Sequence, residues 1–218
     1  DSVTLIDDTA FISCYSLTSV TIPDSVTTIG EEAFAVCTRL QSIRVSESVK
    51  TVGNGAFFGC EKLTDSHDMV VVCNILFEYC GEESDVTVPD GITEISEFAF
   101  IDCDTVRSIT VPNGVTAIGD WAFYNSKVTS VILPEYVIRV DESAFYGVKT
   151  LQALTVKNPD CQFPSYDSAL ENTTIYGLPG STAEAFAQAH KYNFAEIESA
   201  PVQTALSGDI DGNGTVEV

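Results

Sequence analysis

The residues best suited to chemistry form a short polar segment near the end of the chain. Oxygen ligands stand at positions 1, 3, 5, 7 and 9 of a calcium loop, the fourth being a backbone carbonyl: Asp209, Asp211, Asn213, Thr215 and Glu217. Gly214, at position 6, allows the sharp turn that brings these oxygens together around a hard cation. Val218 is only position 10, so the ligand of position 12 is missing from this sequence. We therefore predict a partial site that holds Ca²⁺ weakly or not at all.

Residues 208–218, GDIDGNGTVEV, closely resemble the opening of a type I dockerin, the calcium-dependent module that attaches cellulosomal proteins to scaffoldins. The resemblance implies that the intact dockerin would bind Ca²⁺ and a scaffoldin cohesin. It also implies an anaerobic bacterium and a secreted protein, extracellular or at the cell surface in a cellulosome. An acidic turn in a polar tail is the alternative interpretation. Residues 198–207 are polar and contain Pro201, which is typical of a linker between modules.

The composition of the chain limits its partners and its class. The net charge is −22, from 32 acidic residues against ten Lys and Arg, and such a field repels phosphate backbones and anionic lipid. Hydrophobic residues make up 44% of the chain, which is enough for a substantial core. The sequence contains no run of about eighteen apolar residues, which is the length that a membrane-spanning helix requires.

The dipeptide Ala-Phe recurs six times and sets the period of nearly everything before the linker. The copies are spaced 23, 23, 43, 23 and 22 residues apart, at Ala10-Phe11, Ala33-Phe34, Ala56-Phe57, Ala99-Phe100, Ala122-Phe123 and Ala144-Phe145. A period of about 20–50 residues indicates a solenoid built from repeated units. The sequence at Asp1 matches that at Asp24, so the chain begins inside a unit, and we expect the parent protein to continue upstream.

Each unit predicts a short helix and then a strand. Residue types favoured at a helix N-cap lie four positions before each Phe: Asp7, Gly30, Gly53, Ser96, Gly119 and Asp141. The next position is mostly acidic, as suits the first turn of a helix. Alternating strands follow, such as Ser19-Val20-Thr21-Ile22, and a proline after several of them marks a turn.

These units resemble the BspA-like leucine-rich repeat family, whose pattern I-G-x-x-A-F-x-x-C-x-x-L-x-x-V-x-I-P recurs over residues 1–157. The resemblance implies an α/β repeat: a right-handed leucine-rich-repeat solenoid with stacked short strands, short helices and a C-terminal helical cap. Residues 158–197 resemble that cap, and Ser181 with Glu184 forms a capping box that predicts a helix from about Thr182 to His190 or Lys191. The insert at 65–85 predicts a hairpin or a degenerate unit, with a protruding recognition element as the alternative.

Residues that could perform catalysis lack a recognisable arrangement. Cys14, Cys37, Cys60 and Cys103 share one repeat position, which indicates small buried packing residues. Of the other thiols, a Cys73–Cys80 bridge is conceivable but cannot be derived, and Cys161 is unassigned. His67 and His190, both predicted at the surface, have no partner at a catalytic or zinc spacing. We therefore predict no catalytic residues and a chain that is not an enzyme.

The alternation of the strands predicts a row of outward side chains that could bind a partner. These are Ser19, Thr21, Ser42, Arg44, Ser108, Thr110, Ser130, Ile132 and Thr155. The row has no aromatic platform for sugars, so recognition of a protein or cell-surface partner is the favoured interpretation. Tyr124, Tyr136 and Tyr146 could form an aromatic group elsewhere. The alternatives are a passive spacer and an ancillary module of a larger secreted hydrolase, a peptidase or glycosidase, with its catalytic domain upstream.

Overall fold

The structure is a computed structural model that describes residues 2–164 and 170–198. The chain winds into a solenoid in which each turn, or rung, contributes short strands to two faces. The predicted calcium loop at 209–217 lies outside the described residues, as does all of the predicted linker except Glu198.

Sixteen short strands and one α-helix are present within the described residues. They are β1 (Leu5–Ile6), β2 (Ser19–Thr21), β3 (Thr28–Ile29), β4 (Ser42–Arg44), β5 (Thr51–Val52), β6 (Met69–Val72), β7 (Ile75–Tyr79), β8 (Asp85–Thr87), β9 (Glu94–Ile95), β10 (Ser108–Thr110), β11 (Ala117–Ile118), β12 (Ser130–Leu133), β13 (Arg139–Val140), β14 (Ala153–Val156), β15 (Thr174–Gly177), α1 (Thr182–His190) and β16 (Asn193–Glu196). This order confirms the predicted solenoid of stacked strands.

Parallel pairing between rungs builds the sheets. The largest sheet, here called the front sheet, has the order β16-β15-β14-β12-β10-β8, and β2 pairs with β4 in a separate two-stranded sheet. A second set of strands forms the sheets β1-β3-β5 and β13-β11-β9-β7-β6. In the front sheet Ile109 pairs with Val131, and both are buried, so alternation along each strand separates core side chains from outward ones.

The segment around each Ala-Phe, here called the Ala-Phe turn, is a series of turns rather than the predicted short helix. Residues two positions before and two after each core Phe have positive φ, at 9, 13, 32, 36, 55, 59, 98, 102, 121, 125, 143 and 147. Left-handed residues at this spacing prevent a continuous helical ladder. The backbone bonds to the next rung instead, as where Phe34 N donates to Ala56 O at 2.8 Å and Phe100 N to Ala122 O at 2.7 Å.

The glycines at the predicted N-cap position allow close packing between rungs and do not cap helices. A Cβ on Gly53 would meet the backbone nitrogen of Glu31 in the preceding rung, and one on Gly30 would meet Asp8. Glycine is therefore needed here for close approach between rungs and not for helix capping.

The phenylalanines of the repeat stack on one another, and all except Phe11 are buried in the core. Phe11, Phe34 and Phe57 have successive ring centroids 5.0 and 5.3 Å apart, nearly parallel. Phe100, Phe123 and Phe145 form a second stack, with separations of 5.4 and 5.0 Å. Offset stacking of this kind adds to the stabilisation from buried area.

The repeated cysteines pack beside the phenylalanine stacks. Cys37 Sγ donates to Phe11 O, and Cys60 Sγ to Phe34 O, both at 3.2 Å. All seven cysteines are free thiols. The conceivable Cys73–Cys80 bridge is not formed, because the five residues of β7 separate the two thiols along an extended strand.

The insert forms the predicted hairpin, with β6 antiparallel to β7. It is not a protruding element, because both of its faces are buried. Val70 and Phe77 join a core with the first three rungs, whereas Met69 and Leu76 join the core of the later rungs. One set of hairpin side chains therefore completes the core of the first rungs, and the other set begins the core of the later rungs.

The C-terminal cap contains the capping box and the helix that the sequence predicts. Ser181 accepts a hydrogen bond from Glu184 N at 3.3 Å, and Glu184 Oε2 accepts one from Gly180 N at 2.7 Å. The helix α1 ends at His190, and Lys191 adopts the left-handed conformation that commonly terminates helices.

We expect the stacks to carry much of the stability. Phe100→Ala should lower the free energy of unfolding by about 3–5 kcal/mol, because it leaves a cavity in a close-packed core. Phe11→Ala is the matched control, because Phe11 is 42% exposed while Phe100 is fully buried. Denaturant unfolding followed by circular dichroism measures both, and equal losses would contradict the packing described.

A buried carboxyl should make stability depend on pH. Burial raises the pKa of Glu78 from 4.5 to about 7, although Gly59 N donates to it at 2.9 Å and opposes the rise; Glu61 adds to it. The folded chain then holds a proton that the unfolded chain releases, so stability is lost as pH rises from about 4.5 to 7.

Glu78→Gln should remove this loss. At about pH 8 the variant should be more stable than the parent by up to about 3 kcal/mol, and at about pH 4 the two should agree closely. Glu47→Gln, at an exposed carboxyl, serves as the control in the same denaturant titrations. A Glu78→Gln advantage that does not change with pH would disprove the assignment.

Candidate functional site

The front sheet brings five of the nine predicted binding residues into one surface, here called the front ladder. Ser108 pairs with Ser130, Thr110 with Ile132, and Ile132 with Thr155, so the five form two adjacent rows across three rungs. None of them is buried, and Ile132 is 44% exposed. Backbone register fixes the order of these positions across the rungs.

The other four predicted residues lie on a separate sheet. Ser19 pairs with Ser42 and Thr21 with Arg44 in the β2-β4 pair, and all four are exposed. The front sheet begins again only at β8, because the insert replaces the intervening front strand. The nine predicted residues therefore form two groups rather than one continuous row.

The row also contains an aromatic residue that the sequence reasoning missed. Tyr176 pairs with Thr155 in β15, so its half-buried ring continues the row of Thr110 and Ile132. The expectation that the row has no aromatic side chain is therefore wrong. The alternation in Thr174-Ile175-Tyr176-Gly177 was the signal, but the register that joins it to the repeats is visible only in the structure.

A second surface runs along the Ala-Phe turns and carries outward aromatic rings. Tyr124 and Tyr146 stack at 5.9 Å with an interplanar angle of 11°. Phe98 and Trp121 stack at 5.5 Å, a pair that the sequence reasoning did not identify. Tyr136 is 55% exposed and makes no ring contact with the described residues, so only two of the three predicted tyrosines come together.

Acidic side chains also lie along the Ala-Phe turns. Burial raises the pKa of Glu97 from 4.5 to about 7, and the neighbouring carboxylates of Asp120, Glu32 and Glu31 add to the shift. The pKa of Asp120 is raised mainly by burial and then by Asp141 and Glu142, with Arg139 opposing. Burial and repulsion from carboxylates of other rungs therefore both disfavour ionisation of these two groups.

The surroundings of the cysteine thiols and of the two histidines indicate structural rather than chemical roles. Burial raises the pKa of Cys60 and of Cys161 to about 12, which keeps both as unreactive thiols at neutral pH. His67 is exposed beside Asp65, as predicted, whereas His190 is half-buried against Phe186 and Tyr192. Over residues 2–164 and 170–198, no group of three or more His, Cys, Asp or Glu side chains could hold a metal ion.

Membrane insertion through a helix finds no support in the described ranges. The one α-helix there has nine residues, too few to cross a bilayer.

Comparison with protein families agrees with this architecture. The family model described as a BspA type leucine rich repeat region matches in six copies, over residues 1–67 and 71–196. No curated protein matches the chain. Among solved structures, a leucine rich cell surface protein from Faecalibacterium prausnitzii is 25% identical, with a TM-score of 0.44, and the match covers 82% of this chain and 60% of that one.

Two further similar structures are leucine-rich repeat proteins. The one from Bacteroides ovatus is 22% identical, with 80% and 59% of the two chains covered and a TM-score of 0.42. The one from T. pallidum is 22% identical, with 88% and 79% covered and a TM-score of 0.39. The match thus spans about 60% of the length of the Faecalibacterium and Bacteroides proteins.

Leucine-rich repeat solenoids are typically noncatalytic, which agrees with the absence of a predicted catalytic site. Because the family model matches most of its residues, the chain belongs to the BspA type leucine rich repeat family.

Proposed function

We propose that the chain is a noncatalytic recognition module of a secreted or cell-surface protein and that the front ladder contacts a protein or cell-surface partner. The register of the front sheet supports this role, because it presents Ser, Thr, Ile132 and Tyr176 side chains from successive rungs on one face. A fixed surface binds at little entropic cost, because few side chains and no backbone need to be ordered. The Faecalibacterium relative is described as a cell surface protein, which supports the location.

The composition of the ladder favours a protein partner. Hydroxyl side chains can donate and accept hydrogen bonds, and Ile132 supplies apolar area at the centre of the rows. The net charge of −22 disfavours nucleic acid and anionic lipid as ligands.

We also propose that residues 208–218 are the start of a dockerin, through which the intact module would attach the solenoid to a scaffoldin cohesin in a cellulosome. The spacing of Asp209, Asp211 and Asn213 around Gly214 supports this. The solenoid would then be the part that the assembly displays.

The front ladder can be tested with a matched pair of substitutions. Ile132→Arg should weaken capture of a partner from a secretome or cell-surface fraction by at least about tenfold, because it places a charge at the centre of the contact. Ile138→Arg makes the same change at a residue that is 58% exposed outside the front ladder. The measurement is a pull-down quantified by mass spectrometry, followed by titration of the captured partner.

Two outcomes would contradict the proposed role. Equal loss with Ile138→Arg would show that the contact is not the front ladder. Recovery of no partner by the parent chain would favour the passive spacer.

The calcium loop predicts a conditional activity. Isothermal titration should show weak or no Ca²⁺ binding to these 218 residues, and a chain completed with the remainder of a type I dockerin should bind a cohesin only with Ca²⁺. Asp211→Ala in the completed chain should abolish cohesin binding, while Asp24→Ala in the solenoid should not. Cohesin binding that persists in a chelator would contradict the assignment.

A further inference from the structure

The last complete Ala-Phe turns border an open groove of about 490 Å³. Its principal lining residues are Tyr124, Asn125, Tyr146, Lys149 and Asn172. Leu151 and Val148 also line it but are 3% and 1% exposed, so the accessible surface is formed mainly by tyrosine rings, amides and one amine. Such a lining offers little to a purely apolar side chain.

The tyrosine rings form the flat part of this groove. Tyr146 lies nearly parallel to Tyr124, which covers one of its faces, yet 51% of Tyr146 remains exposed. Within residues 2–164 and 170–198 no ring other than Tyr124 contacts Tyr146, so its second face has no ring partner among them. A flat, amphipathic molecule could occupy that position and stack on the open face of Tyr146.

Amide side chains stand beside this ring with hydrogen-bonding capacity to spare. Asn125 Nδ2 donates to Asp102 Oδ1 at 2.7 Å, which fixes the orientation of the amide and leaves its carbonyl oxygen and second N–H for a ligand. Asn172 and Lys149 are exposed at the same groove. Donors and acceptors of both kinds therefore surround one aromatic platform, which matches the hydroxyl-rich rim and C–H face of a sugar ring.

The charge of the surroundings selects among sugars. The chain carries a net charge of −22, and the acidic side chain of Asp102 lies against Asn125 at the groove. A polyanionic glycan would be repelled along its length, and Lys149 alone does not offset that field. A neutral saccharide meets no such cost.

We propose that this groove binds a neutral saccharide, with one sugar ring stacked on Tyr146 and its hydroxyls bonded to Asn125 and Asn172. This site is separate from the front ladder, so it does not depend on the protein partner proposed above. It gives the solenoid a second binding activity, directed at polysaccharide.

Affinity electrophoresis tests the proposal. The chain is run in native gels that contain barley β-glucan, xyloglucan, arabinoxylan, galactomannan or pullulan, with polygalacturonate as the anionic arm. Retardation by at least one neutral polysaccharide is expected. Tyr146→Ala should abolish it, and in titrations with the corresponding oligosaccharide should weaken binding by at least about tenfold. Tyr146→Phe, which keeps the ring, should retain binding.

Tyr136→Ala is the matched control, because Tyr136 is a similarly exposed tyrosine outside the groove. Circular dichroism melts confirm that each variant is folded, and Asn125→Ala gives a second reading at the same site. Retardation by none of the neutral polysaccharides, retardation by polygalacturonate alone, or equal loss with Tyr136→Ala would overturn the proposal. Loss of a captured protein partner in Tyr146→Ala, without any saccharide binding, would assign the groove to protein contact instead.

Discussion

Backbone hydrogen bonds between rungs organise this solenoid. Parallel strands lie about 4.8 Å apart, so residues one repeat apart in sequence come to lie directly above one another. The Ala-Phe turns obey the same rule, because amides such as Phe34 N bond to the next rung rather than to their own turn. Every side-chain type that recurs in the repeat therefore becomes a column: phenylalanine rings, thiols, outward hydroxyls and acids.

Each kind of column has its own energetic consequence. Stacked phenylalanines and small thiols fill the core, with ring separations of about 5.0–5.4 Å. The column that contains Glu97 and Asp120 works in the opposite direction, because burial first and neighbouring carboxylates second raise the pKa of both groups and disfavour their ionisation. The fold tolerates this repulsion because the core beneath it is continuous, and the acidic edge in turn limits which ligands can approach.

The insert shows what happens where the period fails. The Ala-Phe copies at Phe57 and Phe100 are 43 residues apart instead of about 23. The hairpin β6-β7 lies between them and packs against the core on each side. Phe77 meets Phe57 edge-on at 74°, and Tyr79 meets Phe100, so the hairpin ends one aromatic stack and begins the other. The insert also interrupts the front face and leaves Glu78 half-buried. One change in spacing thus divides the binding surface and partly desolvates a titratable group.

Features that depend on local pattern could be predicted from the amino-acid sequence alone. Its period placed the core phenylalanines, alternation separated Ile109 from its outward neighbours, and the capping box located α1, because each signal acts within a few residues. Features that depend on neighbours from other rungs become visible only once the rungs are stacked. The left-handed Ala-Phe turns replaced the expected helices because inter-rung bonds satisfy their amides, and register joined Tyr176 to Thr155 and stacked Tyr146 on Tyr124. Those contacts join residues about twenty positions apart, and only the stacking of rungs brings them together.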